Sequence, residues 1–195
     1  MHPPQHPLRL TRRELLQRGA AGTILLSSAG LLSTGCAGYR QRVQRDDEQA
    51  LQFFSVKDYA VALAAADAVL PGEAEGYPDH RELKTVLKLD HELAQWDAVR
   101  SKDIPLLLSL VEHGTPLFGH SFRRFSRLPI ESRRAYLAGW GDSGILLRRS
   151  GFVALKGLFA FYYFSDDRVW PHIGYDGTWF DQFPIPITPI EGLPA

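Results

Sequence analysis

The chain has 195 residues, 45% of them hydrophobic, and equal numbers of basic and acidic side chains, 22 of each. This length and composition predict one globular domain with a hydrophobic core plus short appendages, and the balanced charge argues against nucleic acid as a partner. The single cysteine excludes an internal disulfide, a c-type haem attachment, a zinc–cysteine site and an iron–sulfur site.

Residues 1–36 have the organisation of an export signal. Arg12 and Arg13 precede an apolar run over residues 20–32 that is rich in alanine, glycine and serine. The run is short for a membrane-spanning helix, whereas a basic region, an apolar region and small residues in this order are typical of a signal peptide. The arginine pair, with two leucines close behind it, resembles the twin-arginine signal. An ordinary secretion signal with incidental arginines is the alternative.

Cys36 stands where the apolar run ends, in the order Leu-Ser-Thr-Gly-Cys. This resembles a lipobox, although the leucine lies four residues before the cysteine instead of three. Lipidation of Cys36 would tether the mature chain to a membrane without a spanning helix. Cleavage by ordinary signal peptidase is the alternative. Residues 37–52 are rich in arginine, glutamine and aspartate and are predicted to be a solvated spacer.

Residues 53–183 are predicted to form a single all-α domain of five or six helices. Ser55 and Asp58 have the spacing of a capping box at the start of the first helix, and no run alternates with the period of a strand. The helices are expected at about residues 55–70, 80–99, 103–114, 118–128, 130–141 and 145–164. After them we expect an extended aromatic and proline-rich C-terminal arm, with residues 184–195 as its proline-spaced tail.

Apolar spacing predicts which side chains of these helices face the core. The expected core positions are Tyr59, Leu63, Ala66 and Leu70 in the first helix, Phe122 and Phe125 in the short one, and Leu147, Gly151, Ala154, Leu158 and Phe161 in the last. Glycine weakens a helix, so Gly151 and Gly157 are expected where a neighbouring element approaches closely.

The sequence contains no convincing catalytic or metal-binding pattern. The tetrapeptide at residues 141–144, Gly-Asp-Ser-Gly, also surrounds the nucleophile of trypsin-like proteases. That fold is built from strands, which this chain is not expected to have. Asp142 or Ser143 is better interpreted as the N-cap of the next helix.

Single histidines and paired acids also have simpler interpretations. The histidines at 91, 113 and 120 lack the spacing of a helical metal pair. Asp166 and Asp167 are predicted to cap a short helical turn instead of acting as an acid–base pair. We therefore assign no catalytic, cofactor-binding or metal-ligating residue to this chain.

An aromatic stretch between residues 170 and 180 is the most distinctive part of the sequence, and it is either a core plug or a docking surface. The five helices already have apolar faces for a core, which favours docking. Glycines at 174 and 177 would let the backbone turn beneath Tyr175. Aromatic side chains dominate interface energetics. The predicted interface residues are Tyr163, Trp170, Gly174, Tyr175, Gly177, Trp179 and Phe180.

The twin-arginine route typically exports proteins that have folded around a cofactor, yet no residue here is suited to hold one. This contrast favours a cofactor held by a partner that is exported together with this chain. Three stretches also carry a family resemblance. They are the arginine leader, Ala64-Ala65-Ala66-Asp67-Ala68-Val69-Leu70-Pro71-Gly72, and Phe161-Tyr162-Tyr163-Phe164-Ser165-Asp166-Asp167-Arg168-Val169-Trp170 with Ile173-Gly174-Tyr175-Asp176-Gly177.

Together these stretches resemble the gluconate 2-dehydrogenase subunit 3 family, although several members have a proline where Asp176 stands here. The resemblance implies a non-catalytic small subunit of a periplasmic or membrane-associated dehydrogenase. It implies a glucose-methanol-choline (GMC)-type flavoprotein partner carrying FAD, and often a cytochrome c subunit as well. The alternatives are a free-standing envelope lipoprotein and an independent enzyme that uses the carboxylates and histidines.

Overall fold

A computed structural model of the chain describes residues 38–97, 101–119 and 121–177, which are helical and contain no strand. This confirms the all-α prediction for that part of the chain. The helices are α1 (Arg45–Ala50), α2 (Val56–Val69), α3 (Thr85–Leu93), α4 (Asp103–His113), α5 (Thr115–Phe118), α6 (Ile130–Gly141), α7 (Leu146–Phe164) and α8 (Trp170–Ile173). Short 3-10 turns occur at Glu73–Glu75, Phe125–Arg127 and Asp167–Val169. In the described residues, no helix combines the length and apolarity required to cross a membrane.

The alanine-rich helix α2 lies at the centre of the molecule. The Ser55 hydroxyl caps it by accepting a hydrogen bond from the Asp58 backbone N–H at 3.2 Å, as the sequence predicted. Every side chain from Tyr59 to Ala66 is buried, so the helix is enclosed on all sides instead of along one stripe. Its small side chains let α3, α4, α6 and α7 all pack against it.

The orientation of α7 differs from the prediction. Its buried positions are Gly151, Leu155, Phe159 and Tyr163, whereas Leu147 and Phe161 are 62% and 67% exposed. The buried side is rotated from the predicted stripe by about one residue step, roughly 100°. The reason is that Lys156 is the one charged residue of α7 after Gly151, so apolar side chains face most directions and contacts with α3 and α6 decide which side turns inward.

The two glycines of α7 have different environments. A Cβ atom at Gly151 would lie 2.7 Å from Leu107 Cδ1 and 3.4 Å from the Trp140 ring, which confirms the predicted close approach. At Gly157 no other element of the described chain has an atom within 4 Å of the corresponding position, so that prediction is wrong.

The predicted helix over residues 118–128 is also wrong. The chain forms α5, an irregular segment and a 3-10 turn, with the Thr115 hydroxyl donating to the Arg123 carbonyl oxygen at 2.6 Å. Phe125 is fully buried as expected, but Phe122 is 98% exposed because the irregular backbone turns it away from the core. The helix expected over residues 80–99 is shorter, since Lys84 adopts a left-handed conformation (φ 54°) directly before α3.

Two buried carboxylates that the sequence did not reveal hold loops against the helices. Asp90 of α3 accepts three backbone hydrogen bonds from residues 52–54, at 2.6 to 3.1 Å. Glu112 of α4 accepts from the Tyr39 hydroxyl and from the backbone N–H and hydroxyl of Ser126, each at 2.8 Å. Each carboxylate thus accepts hydrogen bonds from loop N–H groups that would otherwise have no acceptor.

Candidate partner-binding surface

An exposed apolar surface runs along α7. The side facing away from α3 and α6 carries small residues, including Ala154 and Gly157, and five large apolar ones. We call this side the outer face of α7, and its large residues are Leu146 (69% exposed), Leu147 (62%), Val153 (67%), Phe161 (67%) and Phe164 (36%). With about 100° between successive residues, all of them fall within one arc of roughly 120°. Single exposed apolar residues are common, but a contiguous apolar face indicates an interaction surface.

The chain that follows α7 is fastened to the domain by Asp166. This buried carboxylate accepts from the Arg168 backbone N–H at 3.2 Å, which confirms that it caps the short turn Asp167–Val169. It also binds the Arg168 guanidinium at 2.8 Å and the Lys88 ammonium of α3 at 2.6 Å. These partners, Arg168 first, hold the pKa of Asp166 well below its usual range.

Trp170 folds back onto the end of α7. Its indole N–H donates to the Phe164 carbonyl oxygen at 3.0 Å, and its ring meets Tyr175 edge-on at 5.0 Å. Gly174 ends α8 in the left-handed conformation (φ 67°), which returns the Tyr175 backbone N–H to the Trp170 carbonyl oxygen at 3.0 Å. Residues 170–175 therefore form a compact turn, and the prediction of an extended arm is wrong for this part.

Tyr163 belongs to the core and not to an interface, contrary to the prediction. Its side chain is fully buried, and its hydroxyl donates to the Pro78 carbonyl oxygen at 2.7 Å. Burial, together with the neighbouring acidic groups, raises the pKa of Tyr163 to about 12. The aromatic run at the end of α7 is thus divided, because Tyr163 points inward while Phe161 and Phe164 belong to the outer face.

The other predicted interface residues have mixed positions. Trp170 and Gly177 are half-buried, whereas Gly174 and Tyr175 are exposed. Tyr175 (43%) and its neighbour Ile173 (46%) extend the apolar surface beyond Phe164, to which Trp170 links them. The remaining predicted residues, Arg12, Arg13, Cys36, Trp179 and Phe180, lie outside the described residues.

The tetrapeptide at residues 141–144 forms the turn between α6 and α7. The Ser143 hydroxyl accepts hydrogen bonds from the Ile145 backbone N–H and the Arg148 guanidinium, both at 3.1 Å. Arg148 also donates to the Gly139 carbonyl oxygen at 3.0 Å. The N-cap position itself is occupied by Ile145, so the prediction of Asp142 or Ser143 as N-cap is wrong. The contacts of Ser143 thus close the turn between the two helices.

The histidine side chains of the described region also have structural contacts. His91 bonds the Ala50 carbonyl oxygen at 3.0 Å, and His113 ends α4, where burial lowers its pKa. No group of three His, Cys, Asp or Glu side chains suited to a metal ion occurs among the described residues, which exclude His120. Comparisons with protein-family models, curated proteins and solved structures return no match to this chain.

Proposed function

We propose that this chain is the non-catalytic small subunit of a flavin-dependent dehydrogenase complex of the gluconate 2-dehydrogenase type. Its partner in this proposal is a GMC-type flavoprotein that holds FAD, joined in some complexes by a cytochrome c subunit. The observation that carries the proposal is the outer face of α7, which continues into the Trp170–Tyr175 turn. The aromatic motif that suggested the family thus adjoins a surface suited to a partner.

The physical basis is the unfavourable exposure of apolar area. Burial of one large apolar side chain is worth about 2 kcal/mol. The outer face presents five such side chains on a helix whose other side is already packed against the core. Only part of this gain would appear as affinity, because association costs translational and rotational freedom. A protein partner with a complementary apolar groove would remove this surface from water.

In the same proposal, the leader serves the complex and not only this chain. Arg12 and Arg13 direct the assembled pair to the twin-arginine route, which accepts folded proteins. Lipidation of Cys36 then anchors the complex at the periplasmic face of a membrane. The partner needs no export signal of its own in this arrangement.

Co-expression tests the proposal. The full chain, tagged, is produced together with a GMC-type flavoprotein from the same genome, and the purified material is examined for both chains and for flavin absorbance. We expect a yellow complex of the two proteins in the periplasm. A lone chain without flavin, with the flavoprotein exported normally when the small chain is deleted, would contradict the proposal.

Charged substitutions locate the interface. Val153→Glu and Phe161→Glu place a carboxylate on the outer face, where it would be buried without a counter-charge in the complex. We expect the flavoprotein to be lost from the purified material. Phe122→Glu is the matched control, because Phe122 is 98% exposed outside this face. Circular dichroism of each variant confirms that the helices remain, and a complex that survives both outer-face substitutions assigns the interface elsewhere.

A further inference from the structure

A small surface cavity of about 220 Å³ lies beside α2 on a side of the domain that the proposed interface does not use. It is bounded by α2, α6, the segment before α1, the segment before α3 and the 3-10 turn Phe125–Arg127. Its apolar walls come from the tightly packed alanine-rich helix. Its lining residues are Arg42, Ala60, Leu63, Ala64, Asp67, Arg81, Ser126 and Arg133.

Three guanidinium groups and one carboxylate line this cavity. The Asp67 carboxylate is fully engaged, because it binds Arg81 through two nitrogens at 2.9 and 3.1 Å, Arg133 at 2.8 Å and His80 at 2.8 Å. One carboxylate can balance only one of three positive charges. The cavity therefore carries an excess of positive charge, which apolar walls focus toward its centre.

Neighbouring acidic side chains do not neutralise the excess positive charge of the cavity. Glu112 lies behind Ser126, and its oxygens accept from Ser126 and Tyr39. Asp47 is directed to the Tyr59 hydroxyl at 3.1 Å and to the Lys84 ammonium at 2.8 Å. Among the described residues, Asp67 is the acid that lines the cavity.

The guanidinium groups also retain donors. Each arginine has five N–H donors. Arg42 is exposed and donates from one nitrogen to the Ser126 carbonyl oxygen. Arg133 uses one nitrogen for both Asp67 and the Ala64 carbonyl oxygen, while its Nε is buried without a hydrogen-bond partner among the described residues. An acceptor in the cavity could satisfy donors from more than one of these groups.

We propose that this cavity binds a small oxyanion of the phosphate or carboxylate type. Guanidinium groups recognise such anions through paired, charge-assisted hydrogen bonds. A water molecule needs only about 10–15 Å³ of such space, so a cavity of about 220 Å³ accommodates an anion of phosphate size. This proposal does not depend on the proposed partner protein. An anion bound in the cavity would connect α2 and α6 to the segment before α1.

Inorganic phosphate is the probe for this site. Isothermal titration calorimetry of the full chain, at an ionic strength held constant with chloride, measures saturable binding. Heating the same samples with phosphate or with chloride alone tests whether the anion stabilises the fold. We expect saturable binding with one phosphate per chain and a higher melting temperature in phosphate than in chloride.

Arginine substitutions assign the site. Arg81→Gln and Arg42→Gln each remove one guanidinium of the cavity, and we expect about a tenfold or greater loss of phosphate affinity. Arg40→Gln is the control, because it removes the same charge from an exposed arginine that pairs with Glu48 outside the cavity. Circular dichroism verifies folding, and Arg42, whose side chain makes one hydrogen bond to the described residues, provides the variant least prone to unfold.

No saturable phosphate binding to the unsubstituted chain would overturn the proposal. An equal loss of affinity in Arg40→Gln would also overturn it, because the effect would then be general charge screening. Retained phosphate affinity in both folded cavity variants would place the anion elsewhere. A series of formate, acetate and phosphate titrations distinguishes carboxylate from phosphate as the preferred group.

Discussion

At the scale of single residues, buried and half-buried carboxylates connect distant parts of this chain. Asp67, Asp90, Glu112 and Asp166 each bind donors from a segment remote in sequence or from the chain just beyond a helix. A carboxylate removed from water is stabilising only when hydrogen bonds or counter-charges replace its lost hydration. Each of these groups has such partners, so the loops they hold become part of the rigid domain.

Asp67 should make the stability of the domain sensitive to acid. Burial alone would raise the pKa of Asp67, but hydrogen bonds from His80, Arg81 and Arg133 outweigh it and hold this pKa well below its usual range. The folded state therefore binds fewer protons than the unfolded state, whose aspartate pKa is about 3.9. The contribution of Asp67 is complete above that value and is lost as the pH falls below it.

We expect Asp67→Asn to lower the free energy of unfolding by about 3 kcal/mol at neutral pH, because it leaves a cluster of cations without its counter-charge. The loss should shrink below about pH 4, where the unsubstituted chain also begins to lose the interaction. Urea unfolding followed by circular dichroism from pH 7 to pH 3 measures both effects. Parallel curves for the two proteins over this range would contradict the role given to Asp67.

At the scale of elements, the glycines of α7 give a matched pair of substitutions. Gly157→Ala introduces a methyl group that meets no other element of the described chain, so we expect stabilisation by about 0.5–1 kcal/mol from helix propensity. Gly151→Ala gains the same propensity but places its methyl 2.7 Å from Leu107 Cδ1, so Leu107 must shift. We expect Gly151→Ala to be less stable than Gly157→Ala by about 1 kcal/mol.

Chemical denaturation of the two glycine variants measures this difference. The comparison is internal to one helix, so changes in intrinsic propensity cancel between the two proteins. Equal stabilities would mean that α7 does not pack against Leu107 and Trp140 as described. A Gly157→Ala variant that is strongly destabilised would indicate that the outer face of α7 is covered within the chain itself.

At the scale of the whole molecule, the outer face of α7 should make the lone chain self-associate. Apolar surface that a partner would cover is exposed to other copies when the partner is missing. We expect the apparent mass from light scattering to rise with concentration, and to rise less for the double variant Val153→Glu, Phe161→Glu. The same concentration dependence in both proteins would show that self-association does not use this face.

Local features were predictable where neighbouring residues alone create them. Ser55 caps α2 and Asp166 caps the turn after α7, because the donor in each case lies only two or three residues away. Gly151 was correctly expected at a close contact. Phe122 was predicted inward and is exposed, because its helix did not form.

The sequence by itself determined the helical class, the caps at Ser55 and Asp166 and the apolar character of α7, since these depend on residue type and short-range spacing. Only the tertiary structure decided which side of α7 is buried, because an apolar helix can satisfy more than one register and its neighbours select one. Packing between the helices also placed Tyr163 in the core and left Phe161 and Val153 exposed. It brought three arginines from separate segments to the cavity that Asp67 lines. Long-range packing, which residue spacing does not encode, therefore created both surfaces on which the functional proposals rest.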